Sequence, residues 1–272
     1  MSRYLKLLQA IILLAFVFST SASRAESELF ETTLSESGSQ IAVPLESNLA
    51  ASEKTSVTKN LPKSVNAQYD VTKNGQPFAR VKEQFKVTGN QYQVNSVTKG
   101  LGVYALLGER KLSSTGEVNA EGLKPTHFEL HQGDNAKKSL LADFDWPKKS
   151  LQMTVKGQPK LAALTIGTQD LASFAYQFMF LKAADFKKSI TMPVTTGKKL
   201  NQYQYKVDGE ELLEIDGKTY KTLHLVETDP EKTAAESKQF WLAIEHHYVP
   251  VRIMMTEDGA TLEQIITELQ IE

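Results

Sequence analysis

Short runs of alternating apolar and polar residues, separated by turn dipeptides, constrain the fold of this chain more than any other feature. Asn74-Gly75 lies between two such runs and suits a two-residue hairpin turn, because both positions need a positive φ. Similar turn signals recur at Gly89-Asn90, Asp216-Gly217 and Asp258-Gly259. The pattern predicts roughly ten strands at hairpin spacing, and therefore a mainly β protein with a curved antiparallel sheet or an incomplete β-barrel.

One segment, about residues 169–184, departs from the strand pattern. Apolar residues recur there at helical spacing from Leu171 to Met179, and Thr168 or Asp170 precedes them as a candidate N-cap. Because apolar residues cover most sides of this predicted helix, we expect it to be packed into the concave side of the sheet.

Residues 1–25 have the arrangement of a secretory signal peptide. Arg3 and Lys6 flank the start of an apolar stretch, and Ser23-Arg24-Ala25 offers small residues at the −3 and −1 positions of a cleavage site. The alternative is an uncleaved anchor, although the apolar stretch is short for a membrane span. We therefore predict a secreted, periplasmic protein with no transmembrane segment after removal of the signal.

Residues 26–60 are rich in Ser, Thr, Glu and Ala and poor in aromatic residues. This composition predicts a flexible tether, since it cannot bury enough apolar surface to fold alone. The alternative is a peptide that docks on a partner through Ile41–Leu45. Residues 61–272 are predicted to form a single β domain.

Charge and cysteine content exclude several classes of function. The chain has 31 Lys and Arg against 32 Asp and Glu, with a net charge of −1, whereas nucleic-acid binding favours a strongly basic surface. It has no cysteine, which excludes disulfides, thiolate metal ligands and a lipid on an N-terminal cysteine. We predict no cofactor and no nucleic-acid partner.

Histidine side chains are candidates for metal binding or acid–base chemistry. In a strand, His127, Glu129 and His131 would point to one face, and two imidazoles with a carboxylate are good zinc ligands. The alternative for these three residues is a solvated polar strand face. His246 and His247 are adjacent and are predicted to connect two strands.

Paired acidic residues leave a hydrolase open as one alternative, because glycosidic acid–base chemistry uses two carboxyl groups. The sequence assigns no catalytic residue among them. The pairs are Asp143 and Asp145, Glu210 and Glu211, and Glu227 and Asp229.

Four motifs resemble a known family: "KQFWLAIEHHYVPVRIMMTEDGATLEQIITEL", "EGLKPTHFEL", "ADFDWPKKSLQM" and "IGTQDLASFAYQFMF". Together they are similar to the DUF3108 family of bacterial periplasmic proteins, over about Asn66–Leu269. The strand–turn–strand ending is also similar in architecture to lipoprotein carriers of the LolA/LolB type. That second resemblance implies a half-open barrel with an apolar cavity.

The sequence and these resemblances predict a non-enzymatic envelope protein that binds a lipid or another hydrophobic ligand. Apolar ligand sites commonly form in barrel mouths. For each predicted lining residue the alternative is core packing. A second hypothesis is a structural or interaction module with an envelope protein partner. The predicted lining residues are Phe174, Phe178, Met179, Tyr203, Tyr205 and Trp241.

Overall fold

The computed structural model describes residues 61–133, 139–182, 185–187, 189–228, 236–257 and 259–272, so the predicted signal peptide and tether lie outside the described residues. The strands are β1 Ser64–Lys73, β2 Gln76–Thr88, β3 Gln91–Gly100, β4 Arg110–Asn119, β5 Gly122–Gln132, β6 Leu140–Asp145, β7 Ser150–Val155, β8 Gln158–Ala163, β9 Gln169–Asp170, β10 Ile190–Thr195, β11 Leu200–Ile215, β12 Lys218–Glu227, β13 Ser237–Ala243, β14 Val249–Glu257 and β15 Ala260–Ile271. The α-helix α1 spans Phe174–Gln177, and 3-10 segments span Gly102–Leu107, Phe178–Phe180, Asp185–Lys187 and Ile244–His246.

All fifteen described strands belong to one sheet. Its order runs from β8 back to β1, continues at β15 and runs back to β9. The first and last strands pair antiparallel in the middle of the sheet, with Asn66 opposite Gln270. Strands β8 and β9 are the two edges, so the sheet is open rather than closed. The predicted mainly β fold, a curved antiparallel sheet or incomplete barrel with one packed helix, is confirmed.

Two of the turn dipeptides, Asn74-Gly75 and Asp216-Gly217, form the hairpin turns that they predict, and Asp258 of another lies outside the described residues. Asn74 and Gly75 have φ values of 51° and 74°, and Asp216 and Gly217 have values of 47° and 74°. Both residues of each pair are therefore left-handed, as a type I′ turn requires. These turns fix the register of β1 against β2 and of β11 against β12.

Buried and more exposed residues alternate along the strands, and this alternation defines two faces of the sheet. In β1, Val65 and Tyr69 are buried, whereas Asn66 and Gln68 between them are only half-buried. The ring of Tyr176 in α1 stacks on Phe85 of β2 at a centroid distance of 5.0 Å. We call the face that α1 contacts the inner face, and the opposite one the outer face.

The helical segment is shorter than the predicted span of about 169–184. Gln169 and Asp170 form a parallel pairing with β10 instead, opposite Val194 and Thr195. The carboxylate of Asp170 accepts hydrogen bonds from the amides of Ala172 and Ser173, at 2.8 and 2.9 Å. Asp170 thus caps the turn that leads into α1, as one of the two candidate caps, and the helix begins only at Phe174.

Two glutamines attach this segment to β5. The Gln169 amide donates to the Leu123 carbonyl, and the Leu123 amide donates to Oε1 of Gln177, both at 2.8 Å. Gly122 makes this approach possible, because a Cβ there would lie 2.3 Å from the Gln177 side-chain amide. Among the described helices none is long and apolar enough to cross a membrane.

Candidate functional site

An aromatic cluster occupies the inner face between the helical segment and strands β11 and β13. The ring of Phe178 lies 6.3 Å from Tyr205 and 5.8 Å from Phe240. Phe174 contacts both Phe178 and Phe240, at 6.4 and 5.7 Å. Tyr203 stacks on Tyr205 at 6.4 Å. The structure therefore brings four of the six predicted lining residues together, and it adds Phe240, which the sequence reasoning missed.

Met179 and Trp241 lie apart from these ring contacts. Met179 is buried in the 3-10 turn that follows α1. Trp241 follows Phe240 directly in β13, so its side chain points to the outer face. There its indole stacks on His224 at 4.3 Å and on the Arg252 guanidinium at 4.4 Å, and it donates to Glu211 at 2.8 Å. Phe240 and Trp241 are adjacent, so their side chains point to opposite faces of the sheet. The sequence alone does not tell which of the two rings is internal, because that depends on which face is buried.

A half-buried acidic group faces the same interior from the other half of the sheet. In β2, Glu83 accepts hydrogen bonds from Ser96 at 3.1 Å and from Tyr176 at 3.2 Å. Burial raises the pKa of Glu83, against the opposing effects of Ser96, Tyr176 and the positive charge of Arg110. A carboxyl group on the inner face is therefore held mainly by hydroxyl donors.

Arg110 is the cation of this interior. It is the first residue of β4 and lies on the same face of the strand as buried Leu112 and Ser114. It is only 7% exposed. Its Nη2 is buried and has no hydrogen-bond partner among the described residues. Burial lowers the pKa of Arg110 to about 9, although the charge of Glu83 opposes that shift. Arg110 is two residues before Leu112 and four before Ser114, a spacing that places all three on one face of a strand. This spacing could have indicated from the sequence that Arg110 is internal, but it was missed.

A fully buried acid, Asp170, lies next to α1. Ser114 donates to its Oδ2 at 2.6 Å, and the Tyr92 hydroxyl lies 2.9 Å from the Ser114 hydroxyl. Burial raises the pKa of Asp170 to about 6, although its hydrogen bonds with Ser114, Ser173 and Ala172 oppose the shift. This network connects strands β3 and β4 to the helical segment.

An exposed apolar segment lies at one end of the inner face. Gly102–Leu107 joins β3 to β4, and none of its residues is buried. Val103 is 75% exposed and Leu106 is 90% exposed. The side chain of Gln132 holds the segment by donating to the Leu107 carbonyl at 3.0 Å. We call Gly102–Leu107 the apolar rim.

His127, Glu129 and His131 do share one face, as predicted, but they bind one another. Nε2 of each histidine lies 2.8 Å from a different oxygen of Glu129. Burial alone would lower the pKa of His127, but hydrogen bonds and charges from Glu129 and Asp143 outweigh it and raise that pKa. Among the described residues no group of three His, Asp or Glu side chains is arranged to hold a metal ion.

The acidic residues of the hydrolase hypothesis have separate partners. Asp143 contacts His127 at 2.7 Å, Asp145 contacts Lys148 at 2.8 Å, and Glu210 contacts Lys221 at 2.6 Å. Glu227 lies 4.0 Å from Lys238, and Asp229 lies outside the described residues. The adjacent histidines form the predicted connection between β13 and β14, with a left-handed φ of 55° at His247.

The outer face carries a depression of about 360 Å³ where β1, β2, β3 and β15 meet. Its lining is mostly polar, which does not suit a hydrophobic ligand. The polar lining residues include Asn66, Gln68, Lys82, Gln84, Glu268 and Gln270.

A solved structure shares the overall fold of this chain. A β-barrel-like protein of the domain of unknown function DUF1849 from Brucella abortus is similar, with a TM-score of 0.54 and 12% identity over 78% of this chain and 99% of that chain. The Mycobacterium tuberculosis lipoprotein LppX has a TM-score of 0.26 and 12% identity over 78% of this chain and 88% of that chain. No curated protein matches the sequence. The family described as "Protein of unknown function (DUF3108)" matches residues 68–265, which confirms the resemblance found in the sequence, and the chain belongs to the DUF3108 family.

Proposed function

We propose that this protein is a non-enzymatic periplasmic protein that binds a lipid or another hydrophobic ligand between the inner face and the helical segment. The observation that carries the proposal is the apolar rim, Gly102–Leu107, in which no residue is buried. Contiguous exposed apolar surface marks interaction sites and ligand-binding grooves. The rim is thus the proposed entrance for the ligand.

The aromatic cluster is the proposed inner contact for the ligand. Phe174, Phe178, Met179, Tyr203 and Tyr205 are all buried, so without ligand they pack on one another and on the sheet. An apolar chain that enters from the rim would replace some of these contacts with its own. Trp241 lies on the outer face and is left out of this proposed contact.

A fluorescent apolar probe, N-phenyl-1-naphthylamine, tests the proposal with the purified protein. Val103→Asp and Leu106→Asp each place a charge on the rim, and we expect the probe to bind about tenfold more weakly, because an entering apolar group then meets a solvated carboxylate. Leu212→Asp is the matched control, since Leu212 is 71% exposed on β11 outside the rim. Unchanged probe affinity in both rim variants, or no binding by the wild-type protein, would contradict the proposal.

A second candidate function is an interaction module, and the free edge of β8 favours it. Leu161 is 67% exposed in this strand, and no described strand pairs with its outer edge. A sheet edge can receive a strand from a partner protein. Leu161→Lys would abolish recovery of an envelope protein in a cross-linking experiment, while leaving probe binding unchanged.

A further inference from the structure

The inner face contains a cation whose hydrogen bonds are incomplete. Arg110 is 7% exposed, yet its buried Nη2 has no acceptor among the described residues. A buried donor without an acceptor costs free energy, so such a group in a native protein calls for an explanation, and completion by a bound water, ion or ligand is one of them. The position of Arg110 therefore calls for an acceptor that the described residues do not supply.

The neighbouring carboxylate does not fill this role. One Glu83 oxygen accepts from Ser96 and the other from Tyr176, so both are engaged by hydroxyl groups. No ion pair joins Glu83 to Arg110 within the described part of the chain, although the two charges sense each other through the interior. Glu83 offsets part of the positive charge of Arg110 without accepting a hydrogen bond from Nη2.

Arg110 also has a defined place relative to the apolar rim. It is the first residue of β4 and lies opposite Thr98 of β3 and Gln132 of β5. Gln132 holds the end of the rim by donating to the carbonyl of Leu107 and to that of Gly108, the residue after the rim. A ligand that crosses the rim thus reaches Arg110 at the first strand position of the interior, before Leu112 and Ser114.

We infer that Arg110 binds the acidic end group of the hydrophobic ligand, so that the ligand class is an amphiphile with one anionic head. This inference rests on the proposed function and deepens it. A guanidinium presents parallel N–H donors, which match the oxygens of a carboxylate or a phosphate. The head group would complete the hydrogen bonds of Nη2, and its alkyl chain would lie among apolar side chains.

Three probes of similar chain length separate the possible heads: hexadecanoic acid, hexadecyl phosphate and hexadecanol, which has no charge. Binding is measured by displacement of N-phenyl-1-naphthylamine from the full chain. We expect the wild-type protein to bind at least one of the two anions about tenfold more tightly than the alcohol, as one charge-assisted hydrogen bond in a buried site supports. The preferred anion then identifies the head group.

Variants test whether Arg110 causes the preference for an anionic head group. Arg110→Met should reduce affinity for the preferred anion to that for the alcohol and leave the alcohol unchanged, whereas Glu83→Gln should strengthen anion binding several-fold by removing a competing charge. Arg80→Met is the matched control, because Arg80 is exposed and pairs with Asp70. Thermal unfolding of each variant confirms that it is folded, and Arg110→Lys keeps the charge if Arg110→Met does not fold.

The possible failures are distinct. Binding of all three probes with equal affinity, or an anion preference that survives in Arg110→Met, would overturn the role of Arg110 and leave the proposed function standing. An absence of binding for every probe would contradict the proposed function itself.

Discussion

Asp170 shows at the scale of one residue how burial and hydrogen bonding compete. Burial raises its pKa from 3.8 to about 6, even though Ser114, Ala172 and Ser173 supply hydrogen bonds that favour the charged form. Between these two values the folded protein holds a proton that the unfolded chain has released. The free energy of unfolding should therefore fall as the pH rises through this window, and stay level above it.

Asp170→Asn tests this dependence. The amide keeps a carbonyl oxygen for the Ala172 and Ser173 amides but does not titrate, so relative to wild type the variant should gain on the order of 3 kcal/mol between about pH 4 and about pH 7.5. Urea unfolding at the two pH values measures the difference. Asp145→Asn is the control of opposite sign, because Lys148 lowers the pKa of exposed Asp145. Parallel pH profiles for wild type and Asp170→Asn would be incompatible with a raised pKa.

The helical segment shows at the scale of one element how a short helix is positioned by side chains rather than by its own length. Gln177 accepts from the Leu123 amide and donates to the Glu121 carbonyl, at 2.8 and 3.0 Å. Four α-helical residues cannot be stable alone, since helix nucleation is costly. Contact with β5 and with the aromatic cluster therefore supplies the stability of α1.

Gly122→Ala should disturb this contact. Gly122 has a φ of 118°, and a Cβ would lie 2.3 Å from the Gln177 amide, so we expect a loss of about 3 kcal/mol. Gly75→Ala is the matched control, because its φ of 74° is also left-handed but no atom lies within 4 Å of the added carbon. That control should lose only about 1 kcal/mol. Equal losses in urea unfolding would mean that Gln177 does not fix the helix against β5.

Structural features that depend only on neighbouring residues could be predicted from this sequence. Features that depend on which face of the sheet is buried could not. Asn74-Gly75 fixed a hairpin because the turn needs nothing beyond its own two residues. The helix was predicted too long, because helical spacing cannot show that Asp170 is taken up by a strand pairing and a cap. Arg110 and Phe240 were missed for a related reason: alternation gives two faces, and only packing decides which one is internal.

At the scale of the whole molecule, the two ends of the domain meet. The amide of Ser64 donates to the Glu272 carbonyl at 3.1 Å, and the Glu272 amide donates to the Ser64 carbonyl at 3.0 Å. The edges of the sheet lie elsewhere, at β8 and β9, which are joined by residues 164–168. The order of the strands in the sheet is therefore a circular permutation of their order in the chain.

A circular permutant tests this relation. Residue 272 is joined to residue 61 by a short Gly-Ser linker, and new ends are made at Ile166, which is 86% exposed. We expect the permutant to keep the near-ultraviolet circular dichroism of residues 61–272, because every strand pairing is preserved and consecutive strands remain neighbours in the sheet. A permutant with ends between Leu225 and Val226, inside β12, is the control and should fail to fold. Loss of structure in the first permutant would show that the 164–168 connection is needed for the fold.

The pairing of β1 with β15 has a consequence for how the protein reaches its native state. A chain that is synthesised from its N-terminus presents β1 first, and β15, one of the two neighbours of β1 in the sheet, is the last strand to be made. Until then β1 and β14 both carry unpaired backbone donors and acceptors, which are templates for association with other chains. Contacts between residues about two hundred positions apart also slow folding. The interval between synthesis of β1 and closure of the β1–β15 pairing is thus the period in which the chain is most prone to associate with other chains.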